Sequence, residues 1–170
     1  TYTMQKHLGS LANRVVVIAG DIRHSRVARS NIWLLTRLGA RVRVVAPPTL
    51  LPGDLAQFGV ELFYDLKQAV KGADVVMMLR LQKERMQGAY LPSEAEYFQF
   101  FGLKEEMREL AEPHALIMHP GPMNRGVEIH STMADLAGQS VIEEQVHMGV
   151  ITRMAIFSSL CEQRRMMQEV

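Results

Sequence analysis

The sequence predicts an α/β domain, doubly wound around a mainly parallel five-stranded sheet with helices on both faces. Three observations predict it. Short apolar runs alternate along the chain with stretches of helical period, as in strand–crossover–strand units. The runs within 14–19 and 74–79 are continuously apolar rather than alternating, the pattern of strands covered on both faces. Each run also stops abruptly at glycine, proline or charge.

The elements follow in order. The opening TYTMQKHLG lacks an initiator Met, and Met4, Leu8 and Leu11 have helical spacing. It reads as the middle of a helix, and the chain as a fragment of something longer. An apolar strand over 14–19 closes on Gly20-Asp21, and a helical run over 25–38 carries Ile32, Leu35 and Leu38 on one side before Gly39. A second strand spans 41–46 and is halted by Pro47-Pro48. A short helix near 54–58, a strand near 60–63 and a helical turn or two over 65–71 lead to the strand over 74–79. No period holds over 82–92, which reads as a surface loop of the kind that carries function. Ser93 and Glu96 form a capping box for a helix through Phe101, and a further helix covers 103–110. The fifth strand, 115–118, runs straight into HPGPMNRGVEI, whose prolines and glycines demand a shaped turn. A long helix over 139–163 carries Val146, Val150, Met154 and Phe157 along a face.

Composition narrows the function classes. A chain of 170 residues, 48% hydrophobic, fills one sizeable core in one or at most two small domains. The formal charge is +1 and the basic residues are scattered, which argues against nucleic acid as a partner. A lone cysteine, Cys161, excludes an internal disulfide, argues against a zinc cluster and agrees with a reducing cytosol. It reads as an idle or buried thiol. No stretch approaches the length of a membrane span, and no cleavable leader pattern opens the chain. A soluble, cytoplasmic protein is expected.

Chemistry is sought where strands end, since open parallel sheets bind ligands beyond their carboxyl edge. The first strand ends in AGDIRHSRVARS, which has Gly20 but not the Gly-x-Gly-x-x-Gly of a nicotinamide site. It offers Arg23, Arg26 and Arg29 near an electropositive helix start, an anion site in outline, although any one of them reads as well as a solvated arginine. The strand over 74–79 is followed by Arg80 and Gln82, two apart and so facing one way in an extended segment. Together they offer a planar fork and an amide to a carboxylate. Alone such a pair reads more readily as surface. Placed at the ends of two strands, Arg26 and Arg80 suggest one crevice and a dicarboxylate ligand. In HPGPMNRGVEI the carbonyls of Pro120 and Gly121 can accept from an amine or amide. His119 and His114 have the chemistry for catalysis but suit structural roles better, and Arg125 with Glu128 is expected to brace the loop as an ion pair. No nucleophile triad or metal-ligand spacing occurs, so no cofactor and no metal is expected.

These motifs together resemble the aspartate carbamoyltransferase family, in the aspartate-binding half of its catalytic chain. YTMQKHLG resembles the helix that enters that half, GDIRHSRVARSN its Gly-Asp turn, MLRLQKER its Arg-x-Gln-x-Glu-Arg motif and HPGPMNRGVEI its His-Pro-x-Pro loop. The resemblance implies a Rossmann-like domain divided into an interdomain helix remnant at 1–12, an aspartate-binding domain at 13–138, and a C-terminal helix at 139–170 that returns to an N-terminal carbamoyl-phosphate domain. It implies that Arg26 holds the aspartate α-carboxylate, Arg80 and Gln82 its side-chain carboxylate, and Pro120 and Gly121 the carbamoyl group. The implied reaction joins carbamoyl phosphate and L-aspartate in pyrimidine biosynthesis, in a homotrimer whose active sites are shared between subunits. The family's Ser-Thr-Arg-Thr phosphate loop and His-Pro-x-Gln segment do not occur in this chain. The chain alone is therefore expected to bind aspartate weakly without turning over. The alternatives are transfer to another amino acid, which two convergent arginines suit badly when the substrate has one carboxylate, and a non-catalytic ligand-binding or assembly domain.

Overall fold

The fold is that of a computed structural model describing residues 1–82, 84 and 93–168, the side chains of 163 and 165–168 excepted. Most of the loop expected over 82–92 lies outside the described residues. In chain order the regular elements are α1 (Tyr2–Leu8), β1 (Val15–Ala19), α2 (Arg26–Arg37), β2 (Arg41–Val45), β3 (Glu61–Phe63), α3 (Leu66–Val70), β4 (Val75–Met78), α4 (Glu94–Phe101), β5 (Leu116–Met118), α5 (Ser131–Ala134) and α6 (Ile142–Gln168).

The strands form one parallel sheet in the order β3-β2-β1-β4-β5. Val16 lies opposite Val42 on one side and Val75 on the other, and Val76 lies opposite Ile117. The chain thus builds outward from β1 to β3, then returns across β1 to lay down β4 and β5. That reversal between β1 and β4 is the switch point at which such sheets open a crevice.

Every residue of β1 and β4 is buried, which is why their sequences do not alternate. Alternate residues serve different cores. Val16 and Ile18 pack with Met4, Ile32, Leu35 and Met77 on one face, while Val15 and Val17 pack with Leu66, Val70, Met78 and Met107 on the other. Each such side chain contributes about 1.5–3 kcal/mol on full burial.

Caps set the helix boundaries. Ser25 precedes α2 and its side chain accepts from Ala28 N–H, Asp65 does the same for Lys67 and Gln68 at α3, and Ser93 accepts from Glu96 N–H at α4. Two expected helices are 3₁₀ segments instead, Gly53–Phe58 and Glu105–Leu110, and the first stops at Gly59 in the left-handed conformation. Short connecting turns favour that tighter winding. Helix α5 was not anticipated, and α6 begins three residues later than the expected 139. The backbone carbonyl of Gln139 instead accepts from Ile117 N–H in β5, and its amide donates to Pro113 O. Beyond its first turn α6 leaves Val146, Val150, Met154 and Phe157 exposed.

Candidate functional site

The ends of β1 and β4 meet closely. Gly20 has φ +133°, and a Cβ there would stand 2.5 Å from Leu79 O, so only glycine fits between the two strand ends. Next to it Asp21 is fully buried. Its carboxylate accepts from His24 N–H at 3.2 Å and Gln82 N–H at 3.3 Å, and lies 2.9 Å from His24 Nδ1. The Gln82 amide in turn donates to His24 O at 3.3 Å. Two hydrogen bonds from Gln82 therefore fasten the segment after β4 onto the turn after β1, and the two His24–Asp21 contacts brace that turn internally. Sequence reasoning placed the Gly-Asp turn but missed this role; the signal was an acidic residue directly after a fully apolar run.

The arginines differ in their partners. Arg26 is the first residue of α2, where no acidic side chain occupies the first turn; its side chain is exposed and unpaired among the described residues. The electropositive end of the helix adds to its charge. Arg80 is half-buried and its Nη2 donates to the Glu84 carboxylate four residues on. Arg29 donates to Arg23 O and borders a separate groove with Trp33 and Phe58. Of the three arginines after β1, Arg26 is the one at the first position of α2, directly after its cap Ser25.

The loop after β5 is the third wall. Neighbouring strands lie about 4.8 Å apart, so loops from β1, β4 and β5 rise within about 10 Å of one another. His119 is fully buried: its N–H donates to Gln145 Oε1 at 2.9 Å, and its Nδ1 accepts from Gly121 N–H at 2.9 Å. Gly121 has φ +68° and is followed by a cis peptide bond to Pro122. Pro120 and Gly121 remain half-buried at the surface of the crevice wall. The expected Arg125–Glu128 pair is not formed. Arg125 binds Asp135 through two bonds of 2.6 and 2.7 Å, while Glu128 points into the core and accepts from Asn124 N–H. Burial pushes the Tyr97 phenol up from its ordinary range, and the Glu128 and Asp21 carboxylates push it further, so it stays a neutral O–H.

His114 is removed from the candidates by position. It precedes β5 and so stands at the amino edge, 2.9 Å from Asp74 Oδ1, where Arg14 also pairs at 2.7 Å. Among the described residues no group of three potential metal ligands occurs, and no helix is long and apolar enough to cross a membrane. Arg26, Arg80, Gln82, Pro120 and Gly121 thus all follow the carboxyl ends of β1, β4 and β5, the edge where such sheets bind ligands. Guanidinium forks and amides have the chemistry to hold carboxylates, and backbone carbonyls that to accept from an amide NH₂.

Comparison with known proteins gives a consistent result. The family model for "Aspartate/ornithine carbamoyltransferase, Asp/Orn binding domain" matches residues 12–160. The aspartate carbamoyltransferase catalytic subunit of Granulibacter bethesdensis is 57% identical over 162 residues, covering 95% of this chain and 51% of that protein. That of Chelativorans sp. is 60% identical over 163 residues, covering 96% and 51%. Among solved structures, aspartate transcarbamoylase from Trypanosoma cruzi in complex with N-(phosphonacetyl)-L-aspartic acid superposes with a TM-score of 0.75 at 28% identity, covering 91% of this chain and 51% of that one. Ornithine carbamoyltransferase from Pyrococcus furiosus gives 0.72 at 28%, covering 85% and 49%. The chain spans about half the length of the curated relatives it matches.

Proposed function

The chain belongs to the aspartate/ornithine carbamoyltransferase family, in its Asp/Orn-binding domain, and from that premise we propose that it is the aspartate-binding half of an aspartate carbamoyltransferase. The reaction is carbamoyl phosphate plus L-aspartate to N-carbamoyl-L-aspartate plus phosphate. Arg26 takes the α-carboxylate; Arg80 and Gln82 take the side-chain carboxylate, with Glu84 as the counter-ion that Arg80 shares or releases. The carbonyls of Pro120 and Gly121 accept from the carbamoyl NH₂. The aspartate amine attacks the carbamoyl carbon, the new C–N bond forms, the C–O bond to phosphate breaks and the amine proton leaves. Catalysis in this half is positioning: two forked carboxylate contacts align the amine with the carbonyl.

The observation that supports the reading is the fastening of Gln82, two residues after Arg80, to Asp21 and His24 in the turn that leads into α2 and Arg26. Two cations on one crevice favour aspartate over ornithine, and the relatives at 57–60% identity carry the aspartate name. We assign residues 1–12 to an interdomain segment, 13–138 to aspartate binding and 139–170 to a C-terminal segment whose helix, from Ile142, packs on a carbamoyl-phosphate domain in a homotrimer. The exposed Val146, Val150 and Phe157 support that packing.

The test is carbamoyl-aspartate formation by this chain, alone and with a separately made carbamoyl-phosphate domain. Silence alone and activity on complementation are expected. Product from the chain by itself refutes the half-site reading. Carbamoyl-ornithine in place of carbamoyl-aspartate moves the substrate to another amino acid, and aspartate binding without activity on complementation leaves a ligand-binding module.

A further inference from the structure

The loop after β5 is organised around a buried pair that the functional reading does not use. His119 and Glu128 are both inaccessible to solvent, and His119 Nε2 lies 3.3 Å from Glu128 Oε1. The alignment falls short of a full hydrogen bond, and both Nε2 and Glu128 Oε2 lack a hydrogen-bond partner among the described residues. The other ring nitrogen is committed. Nδ1 sits 2.9 Å from Gly121 N, a backbone group that can only donate, so Nδ1 must be the bare nitrogen. A neutral ring then carries its proton on Nε2, aimed at Glu128. An imidazolium would set two donors, Nδ1–H and Gly121 N–H, against each other. Glu128 Oε1 holds Asn124 N–H on the far side of the loop. One ring thus joins the residue at the crevice wall, Gly121, to the base of the loop at Asn124.

We propose that His119 and Glu128 form a positioning pair: neutral His119, its proton on Nε2 and facing Glu128, fixes Gly121 and Pro120 so that their carbonyls meet the carbamoyl group. The inference rests on the functional reading above. Neither residue touches substrate. The pair is built into the core because a mispositioned carbonyl pair is costly: an error of about 1 Å in an orienting group lowers rate by about 10²-fold. The φ of +68° at Gly121 and the Val146 methyl 3.2 Å from where a Cβ would stand fix which residue fits there, and the His119 contact adds a hydrogen bond to its N–H.

Two variants of the complete catalytic chain separate positioning from bulk stability. In His119→Gln the amide nitrogen overlies Nε2 and keeps the Glu128 contact but leaves Gly121 N–H unpaired. In His119→Asn the amide oxygen overlies Nδ1 and keeps the Gly121 bond. We expect His119→Gln to lower kcat by about 10²-fold with KM for aspartate nearly unchanged, because aspartate is held by other residues. His119→Asn, which keeps the Gly121 bond and gives up the Glu128 contact, should recover only part of that loss. Equal losses in the two variants, or a loss carried by KM for aspartate, overturn the proposal. A second measurement does not depend on activity or on the variants folding: ¹⁵N spectra of the His119 ring in the unsubstituted protein should show a neutral imidazole protonated on Nε2 at pH 7. An imidazolium, or a proton on Nδ1, overturns the pair. If the unsubstituted complete chain makes no carbamoyl-aspartate, the functional reading fails by itself, and the ring's protonation state still decides whether the pair exists.

Discussion

The two edges of the sheet are each closed by a buried aspartate beside a histidine, and the two do different things. At the amino edge Asp74 accepts from Val15 N–H at 2.8 Å and Arg14 at 2.7 Å and meets His114 at 2.9 Å. At the carboxyl edge Asp21 accepts from His24 and Gln82 N–H and meets His24 Nδ1. Both are carboxylates tying the β1 region to the β4 region. Asp74 pairs with the Arg14 guanidinium at the base of β1. Asp21 instead holds the backbone N–H of Gln82, and so ties the segment after Arg80 to the turn that leads into α2. An aspartate–histidine contact is therefore no mark of catalysis. Its place on the sheet decides whether the charge around it is spent on the fold or left for a ligand.

Substitutions can break that contrast. The largest effect is expected from Arg26→Ala or Arg80→Ala in the complete enzyme: a fall of about 10²–10³-fold in kcat/KM for aspartate, as for loss of a paired, desolvated charge. Thermal midpoints should barely move, because Arg26 is exposed and the partner of Arg80 among the described residues is the exposed Glu84. A midpoint that drops as far as activity does would make them structural. Next comes Asp21→Asn, which removes the acceptor charge shared by His24 and Gln82. Both readouts should respond, with about 1–3 kcal/mol lost in denaturant unfolding and kcat/KM reduced by about tenfold or more.

Asp74→Asn should affect stability alone, by about 1–2 kcal/mol after allowing for the partial exposure of Arg14, with kinetics intact in the folded enzyme. Its pH signature distinguishes it. Burial pushes the Asp74 carboxyl up, but the Val15 N–H, His114 and Arg14 outweigh burial and hold it below the ordinary value. The stability it contributes is then fully present above the unfolded value near about 3.9 and lost as pH falls through the lower folded value. An unfolding series from pH 6 to pH 2 should be flatter for Asp74→Asn than for the unsubstituted chain; parallel curves would remove Asp74 from the account. The smallest effect belongs to Lys6→Ala, which opens the exposed pair with Glu144 between α1 and α6. Neither the unfolding midpoint nor its salt dependence should change measurably.

The fold was legible because its signals are local. Five apolar runs, Gly39 as a stop and Ser93 as a cap are each visible within a few residues, and the strands and principal helices stand close to where they were expected. The errors share one cause. The start of α6 slipped because Gln139 was claimed by β5 and Pro113, and Arg125 was paired with its near neighbour when Asp135, ten residues on, offered a two-bond partner. Those are choices among competitors at different sequence distances, and spacing alone does not rank them.

The site divides in the same way. The sequence by itself determined which residues carry charge and where they stand relative to strand ends, because the period of an apolar run fixes where a strand stops. Arg26, Arg80, Gln82, Pro120 and Gly121 were singled out on that ground, and their roles belong to the proposal. Only the tertiary structure decided that Asp21 joins two of those segments, that Glu84 faces Arg80, that His114 belongs to the opposite edge, and that His119 turns inward to Gly121 and Glu128. The reason is physical: a buried polar atom must find a partner, and which partner lies in reach is set by the order in which the strands pack.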